Sequence, residues 1–183
     1  MTKKRSLNEY RQVKEYTTPK KKKANRNKEG IHSYIVDLSE VELSDLELVG
    51  GKNASLGEMI QNLKGLGVNI PGGFALTVDA YWEFIRFNKL DSTIRSLING
   101  MKKDDLVSLR KTGLEIREII RNGQWPEDLK LEIQKRYTQL SQEYGSDITD
   151  VAVRSSATAE DLPDASFAGQ QETYLNVRGP NKF

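Results

Sequence analysis

The sequence predicts a mixed α/β fold of the α+β kind, and three observations support that prediction. Short runs typical of strands occur at residues 34–36, 74–78 and 151–153, and residues 173–177 alternate in the manner of a strand. Segments between them repeat apolar residues every three or four positions, as amphipathic helices do. Clusters of glycine and proline separate these segments. With 183 residues, the chain is long enough for about one domain with a buried core.

The first predicted elements are strand, helix, strand and helix. We expect order to begin near His32, just before the first strand. A helix is predicted between the Gly50-Gly51 pair and Gly65, and another follows the strand at 74–78. The apolar face of the first helix is predicted to contain Ala54, Leu56, Met59, Ile60 and Leu63. The second helix is predicted from Tyr81, Phe84, Ile85 and Phe87.

A pair of helices is predicted in the middle of the chain, before the two final strands. The first ends at Asn122-Gly123. The second opens at Pro126, with acidic residues where a helix N-terminus favours negative charge, and ends at Gly145. We assign the apolar stripes of both helices to the core. These stripes are Leu106, Leu109, Leu114, Ile116, Ile119 and Ile120, then Leu129, Ile133, Tyr137 and Leu140.

Composition excludes several classes of protein. The absence of cysteine excludes a disulfide scaffold, a thiolate metal site and a thiol nucleophile. No apolar run approaches the length of a membrane-spanning helix, so we expect no membrane association. Residues 1–28 lack the apolar segment of a secretory signal, which predicts a cytoplasmic location.

The net charge of +2 combines two unlike parts. Residues 1–28 hold 11 basic and two acidic residues, a net +9, so the remainder carries −7. The basic segment also contains almost no apolar residues, which predicts a disordered tail over residues 1–30. One domain is predicted over residues 31–183. The lysine run at 20–23 could attract nucleic acid. No aromatic residues alternate with the charges, so we favour a solvated extension.

Residues 50–55, Gly-Gly-Lys-Asn-Ala-Ser, resemble a phosphate-binding loop. They are not a Walker A motif, because Leu46 stands where that motif has its first glycine. Two glycines nonetheless allow close backbone approach, the following helix offers N–H groups, and Lys52 supplies a charge. The alternative is an ordinary helix start with an exposed lysine.

A second candidate segment, residues 153–161, joins an apolar strand to a turn rich in serine, threonine and alanine. Arg154 stands at the strand end, where a guanidinium can bind a phosphate bidentately. Neighbouring hydroxyls that can donate hydrogen bonds are Ser155, Ser156 and Thr158. The alternative is a strand end followed by a helix N-cap, and the same residues could serve both purposes.

The third candidate segment, residues 164–173, combines small residues with Gly169. Such a segment can form a flap whose backbone amides cover a phosphate chain, with Phe167 as its anchor. The alternative is a simple hairpin connection with turn residues.

Together, these segments resemble the nucleotide-binding domain of the phosphoenolpyruvate synthase family (pyruvate, water dikinases), within the wider pyruvate phosphate dikinase family. The resemblance is carried by residues 50–59 and by the long, specific stretch 152–173. It extends from about Val36 to Gly179 and omits the basic tail.

The resemblance implies the N-terminal part of an ATP-grasp nucleotide-binding domain with an inserted helical pair. Lys52 and Arg154 would contact ATP phosphates, and the loop around Gly169, Gln170 and Thr173 would fold over them. The family reaction uses ATP and water. It transfers the β-phosphoryl group to a histidine and then to pyruvate, giving phosphoenolpyruvate, AMP and phosphate, with Mg²⁺ required.

Family members are several times longer, so we expect the remaining parts beyond Phe183. These are the second ATP-grasp lobe with the Mg²⁺ ligands, the phospho-histidine domain and the pyruvate-binding domain, which a complementary C-terminal part would supply. We assign no metal ligand and no complete catalytic set to this chain, and His32 lies outside any family motif. Two alternatives stay open: a rifampin phosphotransferase-like ATP-binding fragment, and a non-catalytic protein whose tail binds nucleic acid.

Overall fold

The computed structural model describes residues 33–101, 105–158 and 172–181. The predicted tail and His32 lie outside these ranges. The strands are β1 (Ile35–Asp37), β2 (Phe74–Leu76), β3 (Asp150–Arg154) and β4 (Thr173–Arg178). The helices are α1 (Leu46–Val49), α2 (Gly51–Leu63), α3 (Val78–Phe87), α4 (Leu90–Gly100), α5 (Leu106–Arg121) and α6 (Glu127–Glu143). Short 3₁₀ turns occur at Leu38–Glu40, Leu43–Asp45 and Lys64–Leu66.

The strands form two separate antiparallel pairs within the described ranges. In the first, Ile35 of β1 lies opposite Leu76 of β2. In the second, β3 and β4 run from the Asp150–Arg178 pair to the Arg154–Thr173 pair, with an irregularity between Val151 and Val153. The prediction of a mixed α/β fold is therefore confirmed.

Helix α2 packs closely on the segment that follows β1. A Cβ atom on Gly57 would lie 2.3 Å from the Val41 carbonyl oxygen. The residues of this part of the core are Leu38, Val41, Val49, Ala54, Ile60 and Ala75. Met59 was predicted to join them but is 45% exposed. It lies about 160° around the helix from Gly57, where the contact is centred.

Strand β2 is shorter than the predicted strand at 74–78. The Thr77 hydroxyl accepts a hydrogen bond from the Ala80 amide at 3.4 Å, which caps α3 and places Val78 in that helix. The predicted helix is confirmed as α3, in which Phe84 and Ile85 are buried. Tyr81 and Phe87, which helped to predict this helix, are about half exposed.

The two middle helices differ in burial although both have apolar stripes. All four stripe residues of α6 are buried, and Leu129 and Ile133 pack with Ile35 and Ala80. The assignment of the α5 stripe to the core is wrong, because α5 contains no buried residue. Its neighbour is α4, which was not predicted and also has no buried residue. Amphipathic spacing therefore identified α5 as a helix without identifying its surroundings.

Among the described residues, the model contains no helix that is both long enough and apolar enough to cross a membrane.

Candidate functional site

The start of α2 contacts the turn that follows β3, which brings the first and second candidate segments together. The Gly51 amide donates a hydrogen bond to the Ala157 carbonyl at 3.3 Å. Gly50 lies directly against the same turn, because a Cβ atom added to it would be 2.3 Å from Ser156 Oγ and 3.0 Å from the Ala157 backbone. Gly50 has φ +80° and ψ 161°, a conformation open essentially to glycine alone. This glycine therefore permits both the turn and the contact.

Lys52 lies in the first turn of the 13-residue helix α2 and is partly buried. The N-terminus of a helix carries partial positive charge, and the amides of its first turn lack intrahelical acceptors. The Asn53 side chain donates to the Val49 carbonyl at 2.9 Å, which joins α2 to α1. Lysine charge and helix dipole thus have the same sign at this end of α2, which favours an anion.

Arg154 is the last residue of β3, is exposed, and lies opposite Thr173, the first residue of β4. Cross-strand partners of this kind have Cβ atoms about 4.5–5.5 Å apart on one face of the sheet. Arg154 is three residues from Ala157, so at most about 11 Å of chain separates it from the turn that contacts Gly51. Arg154 and Thr173 are therefore cross-strand partners, and Lys52 follows the glycine pair that contacts the turn after Arg154. Gly169 and Gln170 lie outside the described residues.

Ser156 is the buried polar group of this junction. Its hydroxyl has no hydrogen-bond partner within the part of the chain that the structure describes. The neighbouring Ser155 hydroxyl reaches the Glu172 carbonyl at 3.5 Å, a long hydrogen bond between the ends of β3 and β4. Of the two serines predicted as hydrogen-bond donors to phosphate, Ser156 lies against Gly50 and Ser155 contacts the residue before β4.

The opposite end of the β3–β4 hairpin is held by α6. The Tyr137 hydroxyl donates to the Thr149 carbonyl at 2.5 Å and accepts from the Gly179 amide at 2.8 Å. The Ser141 hydroxyl accepts from the Thr149 amide at 3.2 Å. The sequence indicated Tyr137 as a core residue, but its hydrogen bonds escaped prediction because their partners are 12 and 42 residues away.

Two ionisable groups of the hairpin have shifted pKa values. Hydrogen bonding from Arg178 lowers the pKa of Asp150, and the two side chains lie 3.1 Å apart. A hydrogen bond to the Glu172 carboxylate, together with the charge of that carboxylate, raises the pKa of Tyr174. Both pairs are exposed, so they contribute little to stability.

Comparison with known proteins identifies the family of the domain that contains this junction. Residues 46–183 match the family model described as pyruvate phosphate dikinase, AMP/ATP-binding domain. The chain belongs to this family. The match includes the starts of α1 and α2 and the whole β3–β4 hairpin.

Curated relatives at high identity are phosphoenolpyruvate synthases. The protein of Aquifex aeolicus (strain VF5) is 56% identical over 145 residues, which is 79% of this chain and 17% of that protein. The protein of Pseudomonas aeruginosa (strain UCBPP-PA14) is 51% identical, with 80% of this chain and 18% of that protein covered. The protein of Escherichia coli (strain K12) is 45% identical, with 82% of this chain and 19% of that protein covered. The chain therefore spans less than a fifth of the length of these relatives.

Proposed function

We propose that this chain is the N-terminal ATP-binding portion of a phosphoenolpyruvate synthase-like dikinase, built as the first part of an ATP-grasp domain with an inserted helical pair. The observation that supports the proposal is the contact between the Gly50-Gly51 turn and Ser156-Ala157. It joins the helix start that bears Lys52 to the strand end that bears Arg154. Family membership and the similarity to phosphoenolpyruvate synthases support the same conclusion.

In this proposal, the junction binds the phosphates of ATP. Lys52 supplies a point charge at the positive end of α2, and Arg154 supplies a planar pair of donors. Thr173, opposite Arg154, adds a hydroxyl donor, and the flap that includes Gly169 and Gln170 covers the phosphate chain. These groups would stabilise charge on the transferring phosphoryl group and would form no covalent intermediate.

The rest of the reaction is assigned to the full-length enzyme, which we place in the cytoplasm. It would pass a phosphoryl group from ATP through a histidine to pyruvate, with release of AMP and phosphate. No group of three or more histidine, aspartate or glutamate side chains within the described ranges is arranged to hold a metal ion. Because Mg²⁺ is usually held by one or two carboxylates together with substrate phosphates, we propose that its protein ligands lie in other parts of the full-length enzyme.

Titration of the 183-residue chain with Mg-ATP, by calorimetry and thermal shift, tests the phosphate roles. Loss of a hydrogen bond from a charged group costs about 1.5–3 kcal/mol, so Lys52→Ala and Arg154→Ala should each weaken binding about 10- to 100-fold. Matched controls are Lys64→Ala beyond the other end of α2 and Arg178→Ala at the other end of the hairpin. Both control side chains are exposed, and neither substitution should change affinity more than about twofold.

Equal affinity in the wild type, Lys52→Ala and Arg154→Ala would remove these two residues from the site. A wild-type chain that does not respond to Mg-ATP would contradict the proposed function itself.

A further inference from the structure

The β3–β4 hairpin is held at both ends by other parts of the fold. At the end near Arg154, Ala157 accepts the hydrogen bond from Gly51. At the opposite end, Tyr137 and Ser141 of α6 bind the backbone around Thr149. Between these ends, no side chain of β3 or β4 is fully buried. Exposed and partly buried side chains alternate along β3, and all but one of the β4 side chains are exposed. The direction of the hairpin therefore depends strongly on its two ends.

Tyr137 contacts the chain on both sides of the hairpin with one hydroxyl group. It donates to Thr149, the residue before β3, and accepts from Gly179, the residue after β4. Its side chain is among the largest fully buried ones, at 1% exposure. A buried ring is held by its surroundings and has little freedom to move with the hairpin. Its hydroxyl therefore fixes the start of β3 and the end of β4 relative to α6.

We propose that Tyr137 is a positioning residue for the phosphate site, and that its hydroxyl sets the direction of the hairpin that carries Arg154 and Thr173. The inference rests on the proposed function. If the α6 end is released, the hairpin can pivot about Ala157. Arg154 lies three residues from that point, or about 10 Å along an extended strand, so a 5° pivot moves it by about 1 Å. Displacements of this size are enough to impair a phosphate contact that requires aligned donors.

The hydroxyl can be removed while the buried ring is retained. Tyr137→Phe leaves the shape of the core nearly unchanged and deletes both hydrogen bonds to the hairpin. Tyr144→Phe, one residue after the end of α6, is the control, because its hydroxyl also accepts a backbone amide hydrogen bond, at 2.7 Å, but from Gly72. Ser141→Ala tests the same end of the hairpin through a different side chain, because it removes the acceptor of the Thr149 amide.

The decisive measurement is the Kd for Mg-ATP of the folded 183-residue chain, with ¹⁵N relaxation of the Arg154 and Thr173 amides. We expect Kd to rise about three- to tenfold in Tyr137→Phe, and in the same direction but less in Ser141→Ala. Relaxation of both amides should show increased motion in Tyr137→Phe. Tyr144→Phe should stay within about twofold of the wild-type Kd, with unchanged relaxation at the two amides.

Wild-type affinity in Tyr137→Phe, even with a lower melting temperature, would make Tyr137 purely structural and overturn the inference. If Tyr137→Phe does not fold, an unchanged Kd in Ser141→Ala overturns it. A wild-type chain that does not bind ATP removes the proposed function and this inference together, whereas wild-type binding with unaffected variants removes the inference alone.

Discussion

The backbone at Gly50 leads to a strong prediction for the substitution Gly50→Ala. Its φ of +80° and ψ of 161° fall in a region that residues with a Cβ atom occupy at a cost of about 1–3 kcal/mol. A second cost is steric, because the new Cβ atom would lie 2.3 Å from Ser156 Oγ and 3.0 Å from two Ala157 backbone atoms. The hydroxyl can rotate away, but the Ala157 backbone must shift.

The two costs add to a substantial loss of stability. Overpacking of this kind costs typically about 1–3 kcal/mol, so we expect Gly50→Ala to lower the free energy of unfolding by about 2–6 kcal/mol. For a domain of this size, each kcal/mol lowers the melting temperature by roughly 2–4 °C. A decrease of about 4–24 °C should therefore be seen by circular dichroism.

Two further variants separate the contributions. Gly65→Ala is the matched control, because a Cβ atom there meets nothing within 4 Å, and it should be neutral or slightly stabilising. The double variant Gly50→Ala/Ser156→Gly removes the hydroxyl contact but keeps the backbone strain, so it should recover only part of the loss. Urea unfolding of all four chains gives the free energies. Equal stability of Gly50→Ala and Gly65→Ala would refute the reasoning.

Two other predictions concern the packing that supports the junction. Gly57→Ala should destabilise the chain by at least about 2 kcal/mol in urea unfolding, because the new Cβ atom would meet the Val41 backbone oxygen at 2.3 Å. Asp37 is partly buried, which works to raise its pKa, but hydrogen bonds from Ser39 and the neighbouring Arg136 outweigh this and lower the pKa. Its carboxylate therefore stabilises the fold above the ordinary carboxyl pKa of about 3.9, and that contribution is lost as the pH falls through the lower folded-state value. Asp37→Asn should thus be less stable than the wild type at pH 7, with a difference that shrinks below about pH 4.

Different results would contradict these two expectations. A Gly57→Ala chain as stable as the wild type would show that α2 can move away from Val41 at little cost. A stability difference between Asp37→Asn and the wild type that is the same at pH 7 and pH 3 would show that the Asp37 charge contributes nothing to it.

Local patterns in the sequence were sufficient to predict most of the helices and strands. The spacing of Leu129, Ile133, Tyr137 and Leu140 predicted α6 and its buried face, and all four residues are buried. The same kind of spacing predicted α5 but placed its stripe in the core, where it does not lie. Periodicity reports which residues share a helix face, whereas burial depends on what packs against that face.

In the candidate site, too, the sequence predicted the residues and only the structure showed which segments contact each other. Residue type and position in an element indicated Lys52 at a helix start and Arg154 at a strand end. The contact between their two segments could not be read from the sequence, because it joins Gly50-Gly51 to a turn more than 100 residues later. Likewise, Tyr137 was predicted as an apolar core residue, and its hydroxyl partners became visible only in three dimensions.

The sequence by itself thus determined the kinds of element, the charged residues available at their ends and the resemblance to a family. Tertiary structure decided which of those ends meet, which apolar faces are covered and which side chain holds the hairpin. The physical reason is the separation along the chain of the residues that interact. Helix spacing, capping and turn formation depend on residues a few positions apart, whereas a hydrogen bond from Gly51 to Ala157 requires the whole intervening chain to fold.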